Sequence, residues 1–158
     1  MSLNKNPAVD ARAVRRIQKE LERIQSTAET SGLVVEVVNQ SQWNVHIRGA
    51  KGTLYDGELF VLQIHFTNDY PMDSPICIFT PPSPVHEHIY SNGHICLNIL
   101  GDDWSPALTV ESICLSILSM LSSAQIKIRP AGDERYSATH PPGSNPKLTR
   151  WDFHDDTV

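Results

Sequence analysis

The chain has 158 residues, 40% hydrophobic and 20% charged, a balance that fits one globular domain with a core and a tail. No apolar run approaches the ~18 residues of a membrane span, and the start, MSLNKNPAVDARAVRR, lacks the apolar stretch of a secretory signal. A net charge of −5 offers no general attraction for nucleic acid, and the odd set Cys77, Cys96 and Cys114 points to free thiols in a reducing compartment, cytosolic or nuclear, rather than a disulfide framework.

Asp10 is placed to cap a helix running to about Thr27, with Val14, Ile17, Leu21 and Ile24 as its apolar stripe. Arg12, Arg16, Lys19 and Arg23 fall on the opposite face with Arg15 beside them. Arg12, Arg15, Arg16 and Lys19 crowd the first half, where the helix dipole disfavours cations. This is either a solvated face or a docking face for an acidic partner.

Four strand-like runs follow: LVVEVV (33–38), WNVHIRG (43–49), LFVLQIHF (59–66) and ICIFT (76–80). Their turn-rich linkers are too short to hold crossover helices, so the runs predict an antiparallel meander, and with the helix an α+β layout. Tyr70-Pro71 invites a cis peptide. After an irregular stretch from Pro81 to Leu108, Thr109 caps a second clear helix. Its stripe is Val110, Ile113, Cys114, Ile117, Leu118 and Leu121, with Glu111 in the first turn. Cys114 on that stripe and Cys77 in a strand read as inert core thiols. Beyond Pro130 the polar, Pro- and Gly-rich composition suggests a flexible extension over 131–158, following a core domain over 10–130. Trp151 and Phe153 near the end offer aromatic surface for docking or self-association.

The stretch HEHIYSNGHICLNIL (86–100) carries three histidines and a cysteine. As a metal site it would use His86, His88, His94 and Cys96, but H-x-H-x5-H-x-C matches no common zinc spacing, and we expect no metal and no cofactor. As an extended segment it would bury Ile95, Leu97 and Ile99 and turn Cys96 outward. As a nucleophile, Cys96 needs an accessible thiol and nearby donors. An ordinary thiol, with a pKa of ~8.5, is a few per cent thiolate at neutral pH unless its site helps, and the histidines supply donors for an oxyanion.

The pattern H-x-x-IYSNG-x-ICL-x-IL…W-S-P-A-L, together with GTLYDGELFVLQIHFTNDYPMDSP and the amphipathic first helix, resembles the catalytic core of ubiquitin-conjugating enzymes over about residues 12 to 125. The stretches SNGHICL and DWSPAL and the ending FHDDT are most similar to the W-type members, which modify protein N-termini. The resemblance implies that family's fold, with an N-terminal helix, a four-stranded antiparallel meander and further C-terminal helices. It implies Cys96 as the nucleophile that takes ubiquitin as a thioester from an activating enzyme and passes it to a protein amine. The family's His-Pro-Asn motif maps onto His86, Glu87 and His88. His86 is then the loop anchor, and His88 the oxyanion or loop support, an imidazole N–H replacing the amide. Asn92 and Gly93 form a turn that sets the approach to Cys96. Arg15, Arg16, Met72, Pro106 and Ala107 map onto the surface that docks RING or U-box ligases. The implied partners are ubiquitin, the activating enzyme, such a ligase and substrates with flexible N-termini, with no nucleic acid and no membrane.

Two departures stand out. Glu87 replaces the motif's proline, removing a rigid turn residue; it is either a quiet solvent-facing side chain or an attractor for the incoming amine. An acid that many members keep about 32 residues after the cysteine falls on Ile128, and no carboxylate lies between Glu111 and Asp133. A lysine at ~10.4 needs help to lose its proton, whereas an α-amine at ~7.7–8.0 is already partly neutral. A chain without that acid is expected to favour α-amines. The alternatives are a weakly catalytic scaffold that binds ubiquitin or a ligase, and a conjugating enzyme for another ubiquitin-like modifier.

Overall fold

The computed structural model describes residues 10–148. Helix α1 (Ala11–Ser26) begins where the Asp10 side chain accepts the Arg12 N–H, and a one-turn α2 (Ala28–Ser31) ends at Gly32. Four strands follow, β1 (Val34–Asn39), β2 (Gln42–Arg48), β3 (Leu59–His65) and β4 (Ile76–Phe79), in the antiparallel order β1-β2-β3-β4. An irregular stretch leads to α3 (Val110–Ser122), and α4 (Asp133–Thr139) completes the described elements with a short 3-10 turn at Pro146–Leu148.

Strict alternation turns Trp43, Val45 and Ile47 of β2 and Phe60, Leu62 and Ile64 of β3 into the core, where they meet Val110, Ile113, Ile117 and Leu121 of α3. The register pairs Val45 with Leu62 and Ile47 with Phe60, so facing apolar side chains stack across the sheet. Strand β1 lies at the edge, and Val34, Val37 and Val38 are exposed there. The α3 start carries a reciprocal cap: Thr109 accepts from the Ser112 N–H, and the Ser112 hydroxyl accepts from the Thr109 N–H.

Helix α1 departs from the expected stripe. Its buried residues are Ala13, Ile17, Glu20 and Ile24; Leu21 is half-buried and Val14 is exposed. A buried carboxylate needs partners. Glu20 accepts the Val110 N–H at 2.8 Å, at the positive end of α3, and also the Tyr70 hydroxyl and Arg16 Nε. Arg16 is therefore not a free member of the basic face. Its Nη2 donates to the carbonyls of Pro106 and Leu108, each at 2.8 Å. Arg15 stays exposed. The Tyr70-Pro71 bond is cis, as is Pro81-Pro82.

The expectation of a loose connector from 131 onward needs correction up to residue 148. Helix α4 folds onto the irregular stretch, where Asp133 accepts the Ser91 N–H at 2.8 Å, and the 3-10 turn folds onto the loop before β4, where Lys147 Nζ donates to the Ser74 carbonyl. The polar composition that suggested looseness makes these bonds. Trp151 and Phe153 lie outside the described residues.

Candidate active site

Between β4 and α3 the chain forms an irregular hairpin with Cys96 on its return limb. Ile89 pairs with both His86 and Ile95, the Tyr90 N–H donates to the His94 carbonyl, and the Cys96 N–H donates to the His88 carbonyl at 2.8 Å. The tip turns at Asn92-Gly93. Asn92 is buried; its Oδ1 accepts the His94 N–H, and its Nδ2 donates to the His140 carbonyl at 2.8 Å. Gly93 has φ +96°, and a Cβ there would lie 2.1 Å from the Phe79 carbonyl oxygen, so only glycine fits.

Cys96 is the half-exposed thiol of the three; Cys77 and Cys114 are buried. Burial pushes the Cys114 thiol up to about 12 and raises Cys77 well above its ordinary value. Neither forms a thiolate near neutral pH, which leaves Cys96 as the thiol open to chemistry.

The three loop residues before the hairpin have distinct settings. His86 is buried, and its Nδ1 accepts the His88 N–H at 3.0 Å. Burial lowers its pKa, followed by the neighbouring His88, against partial support from the Met120 backbone. An Nδ1 that accepts belongs to a neutral ring with its proton on Nε2. The Glu87 side chain is 57% exposed, with Oε1 3.7 Å from His88 Nε2. His88 is mostly covered and, with Glu87, borders a groove of about 690 Å³ floored by Leu97, Ile99 and Met120. The groove continues along α3 past Ser116 and Ser119 to Ala124, Gln125 and Ile126.

The C-terminal segment packs against the hairpin. His94 is fully buried, with Nδ1 2.6 Å from the Tyr136 hydroxyl and Nε2 2.8 Å from the Ser144 carbonyl. A carbonyl only accepts, so Nε2 carries the proton and the Tyr136 O–H donates to Nδ1. Burial lowers the His94 pKa, against the partial support of the Ser144 carbonyl. The Tyr136 ring packs 4.1 Å from the Tyr90 ring and 4.1 Å from the His140 ring. Asp133 Oδ1 takes the Ser91 N–H and both the Ser91 and Ser137 hydroxyls, so it is spent on holding α4 to the hairpin tip. Both His94 nitrogens are occupied, and no cluster of three or more metal-ligating side chains forms among the described residues.

A third group of expected residues gathers at the far end of α1. The Trp104 indole N–H donates to the Pro71 carbonyl at 2.9 Å, joining the loop of exposed Met72 to the segment of exposed Pro106 and Ala107. Arg16 joins that segment to α1.

A family model described as ubiquitin-conjugating enzyme matches residues 16–141. The chain belongs to the ubiquitin-conjugating enzyme family. It is 52% identical over 151 residues to ubiquitin-conjugating enzyme E2 W of Caenorhabditis elegans, covering 92% of this chain and 97% of that one. It is 49% identical over 148 residues to the probable ubiquitin-conjugating enzyme E2 W of Dictyostelium discoideum, covering 94% and 99%. Among solved structures it resembles the ubiquitin-conjugating enzyme E2 UbcA1 of Agrocybe aegerita, with a TM-score of 0.79, 41% identity, and coverage of 85% of this chain and 97% of that one. This conjugating enzyme is thus a transferase whose family works with ubiquitin, an activating enzyme and a ligase.

Sequence reasoning missed Tyr136, Arg129 and Tyr55 around the conjugating enzyme's hairpin. The Tyr55 hydroxyl donates to the Val85 carbonyl at 2.5 Å. Only the isolated tyrosine in the linker GTLYDGE hinted at it, since a buried tyrosine needs a partner for its hydroxyl.

Proposed function

We propose that Cys96 carries ubiquitin as a thioester and delivers it to protein amines, with preference for N-terminal α-amines. The Cys96 sulfur attacks the activating enzyme's thioester carbonyl, and that enzyme's sulfur leaves. The acceptor nitrogen then attacks the new thioester, an amide forms, the C–S bond breaks, and the amine proton is lost to solvent as the thiol is restored. His88, beside the groove, donates to the oxyanion or supports the loop; His86, Asn92 and Gly93 hold the geometry. Arg15, Met72, Pro106 and Ala107 form the docking surface for a RING or U-box ligase, with Arg16 bracing it from behind.

One observation carries the α-amine preference. The position expected to hold an acid is Ile128, 44% exposed, and the next carboxylate, Asp133, is engaged by three donors at the hairpin tip. Without a carboxylate at position 128 a protonated lysine lacks that help, while an α-amine attacks from its neutral fraction.

The test is discharge of the preformed thioester to two unstructured peptides, one with a free N-terminus and no lysine, the other N-acetylated with one lysine. Faster transfer to the free N-terminus supports the preference, and faster transfer to the lysine refutes it.

A further inference from the structure

The segment after α3 alternates apolar and cationic residues. Ile126 is 60% exposed and Ile128 44% exposed; Lys127 between them is also exposed, and Arg129 is half-buried. Lys127 Nζ pairs with Glu58 at 2.6 Å and sits 4.8 Å over the Tyr55 ring. Arg129 reaches the back of the loop that precedes the hairpin. Its Nη1 donates to Ser83 Oγ at 3.0 Å, to the Pro84 carbonyl at 2.8 Å and to the Ile89 carbonyl at 3.2 Å, and its Nη2 donates to the Ser83 carbonyl at 3.1 Å. Such convergence suits a planar fork with five donors and does not suit an ammonium. Among the described residues no carboxylate hydrogen-bonds this guanidinium; three backbone carbonyls and the Ser83 hydroxyl receive it.

We infer that Arg129 is a positioning residue for ubiquitin transfer, clamping the 83–89 loop so that His88 and the Cys96 backbone keep their register. The bonds form a short chain. Arg129 holds the Ile89 carbonyl, Ile89 pairs with Ile95, and the neighbouring His88 carbonyl takes the Cys96 N–H. Tyr55 holds the Val85 carbonyl from the same side. The need arises at position 87, where glutamate lacks the fixed φ that proline gives a loop. Arg129 restores from outside the order that the backbone does not supply from within. This role rests on the transfer chemistry proposed above.

The protein is charged with ubiquitin by the activating enzyme and ATP, the charging is stopped, and discharge to a free-N-terminus peptide is followed over a range of peptide concentrations. Arg129→Ala is expected to lower the maximal discharge rate about tenfold or more, because small misplacements near reacting atoms are costly. The half-saturating peptide concentration should change less than about twofold. Millimolar guanidinium should restore part of the Arg129→Ala rate, and Arg129→Lys should fall between the two. A wild-type discharge rate in Arg129→Ala overturns the inference. So does a loss confined to the half-saturating concentration, or one that guanidinium leaves unchanged. Should Arg129→Ala not fold, Arg129→Lys decides: a slowed maximal rate supports the clamp and an unchanged one refutes it. Failure of the wild-type protein to charge would instead refute the proposed function, so the two failures are separable.

Discussion

The sheet and the 83–97 hairpin differ in how far side chains satisfy their backbone. In the sheet, ladder bonds pair strand with strand, and side chains contribute apolar volume on one face. The hairpin keeps a few backbone pairs, but several of its carbonyls rely on side chains far away in sequence: Tyr55 for Val85, Arg129 for Ser83, Pro84 and Ile89. A ladder tolerates many sequences that keep the alternation. A set of single bonds tolerates few changes, yet each contributes little to global stability. Substitutions in the sheet should therefore unfold the protein, whereas substitutions around the hairpin should leave it folded and slow its chemistry.

The largest effect should come from Trp43→Ala. Trp43 is buried on β2 against Phe66, and its loss should cost about 3–5 kcal/mol in urea unfolding. Next comes Glu20→Ala, which strands the Val110 N–H and the Tyr70 hydroxyl and should cost about 2–3 kcal/mol. It would sharpen the comparison by showing where a single polar group matters outside the hairpin. Acid should loosen the hairpin's supports. Burial lowers the folded-state pKa of both His86 and His94. Above the unfolded value of ~6.5 both states hold neutral rings. As the pH falls below that value toward the folded-state values, the unfolded chain binds protons first and stability drops. The urea midpoint should fall more between pH 7.5 and 5.5 in the wild type than in His94→Gln; equal falls would contradict this. Tyr55→Phe leaves the Val85 carbonyl without its donor. It should cost about 1 kcal/mol in stability while slowing ubiquitin transfer. A change in stability alone would break the proposed division of labour. The smallest effect is expected from Arg15→Ala, exposed on α1, within about 0.5 kcal/mol of wild type; weakened ligase-stimulated transfer would place Arg15 on the docking surface.

What the amino-acid pattern revealed follows the same division. Alternation in WNVHIRG and LFVLQIHF marked the inward faces of β2 and β3, and the stripe from Val110 to Leu121 marked α3 with its Thr109 cap, because burial there is periodic. In α1 the small Ala13 is buried and the larger Val14 is not, and Glu20 replaces an apolar residue in the stripe. Its partners lie 50 and 90 positions away, beyond any local pattern. Around the hairpin, the spacing of His86, Glu87, His88 and Cys96 was legible through family resemblance. The clamps were not, because a hydrogen bond from Arg129 to a backbone carbonyl requires only that a carbonyl be present and leaves no mark on the sequence it holds. The same reason hid α4: Tyr136, Asp133 and His140 read as polar connector until His94, Ser91 and Asn92 meet them.

The most direct test is intact mass measurement after incubation with the activating enzyme, ATP and ubiquitin. The protein should gain the mass of one ubiquitin that a thiol reductant removes, and Cys96→Ser should hold that mass against the reductant as an oxygen ester or fail to gain it. No adduct on the wild-type chain, or a reductant-sensitive adduct that persists in Cys96→Ser, would contradict Cys96 as the carrier.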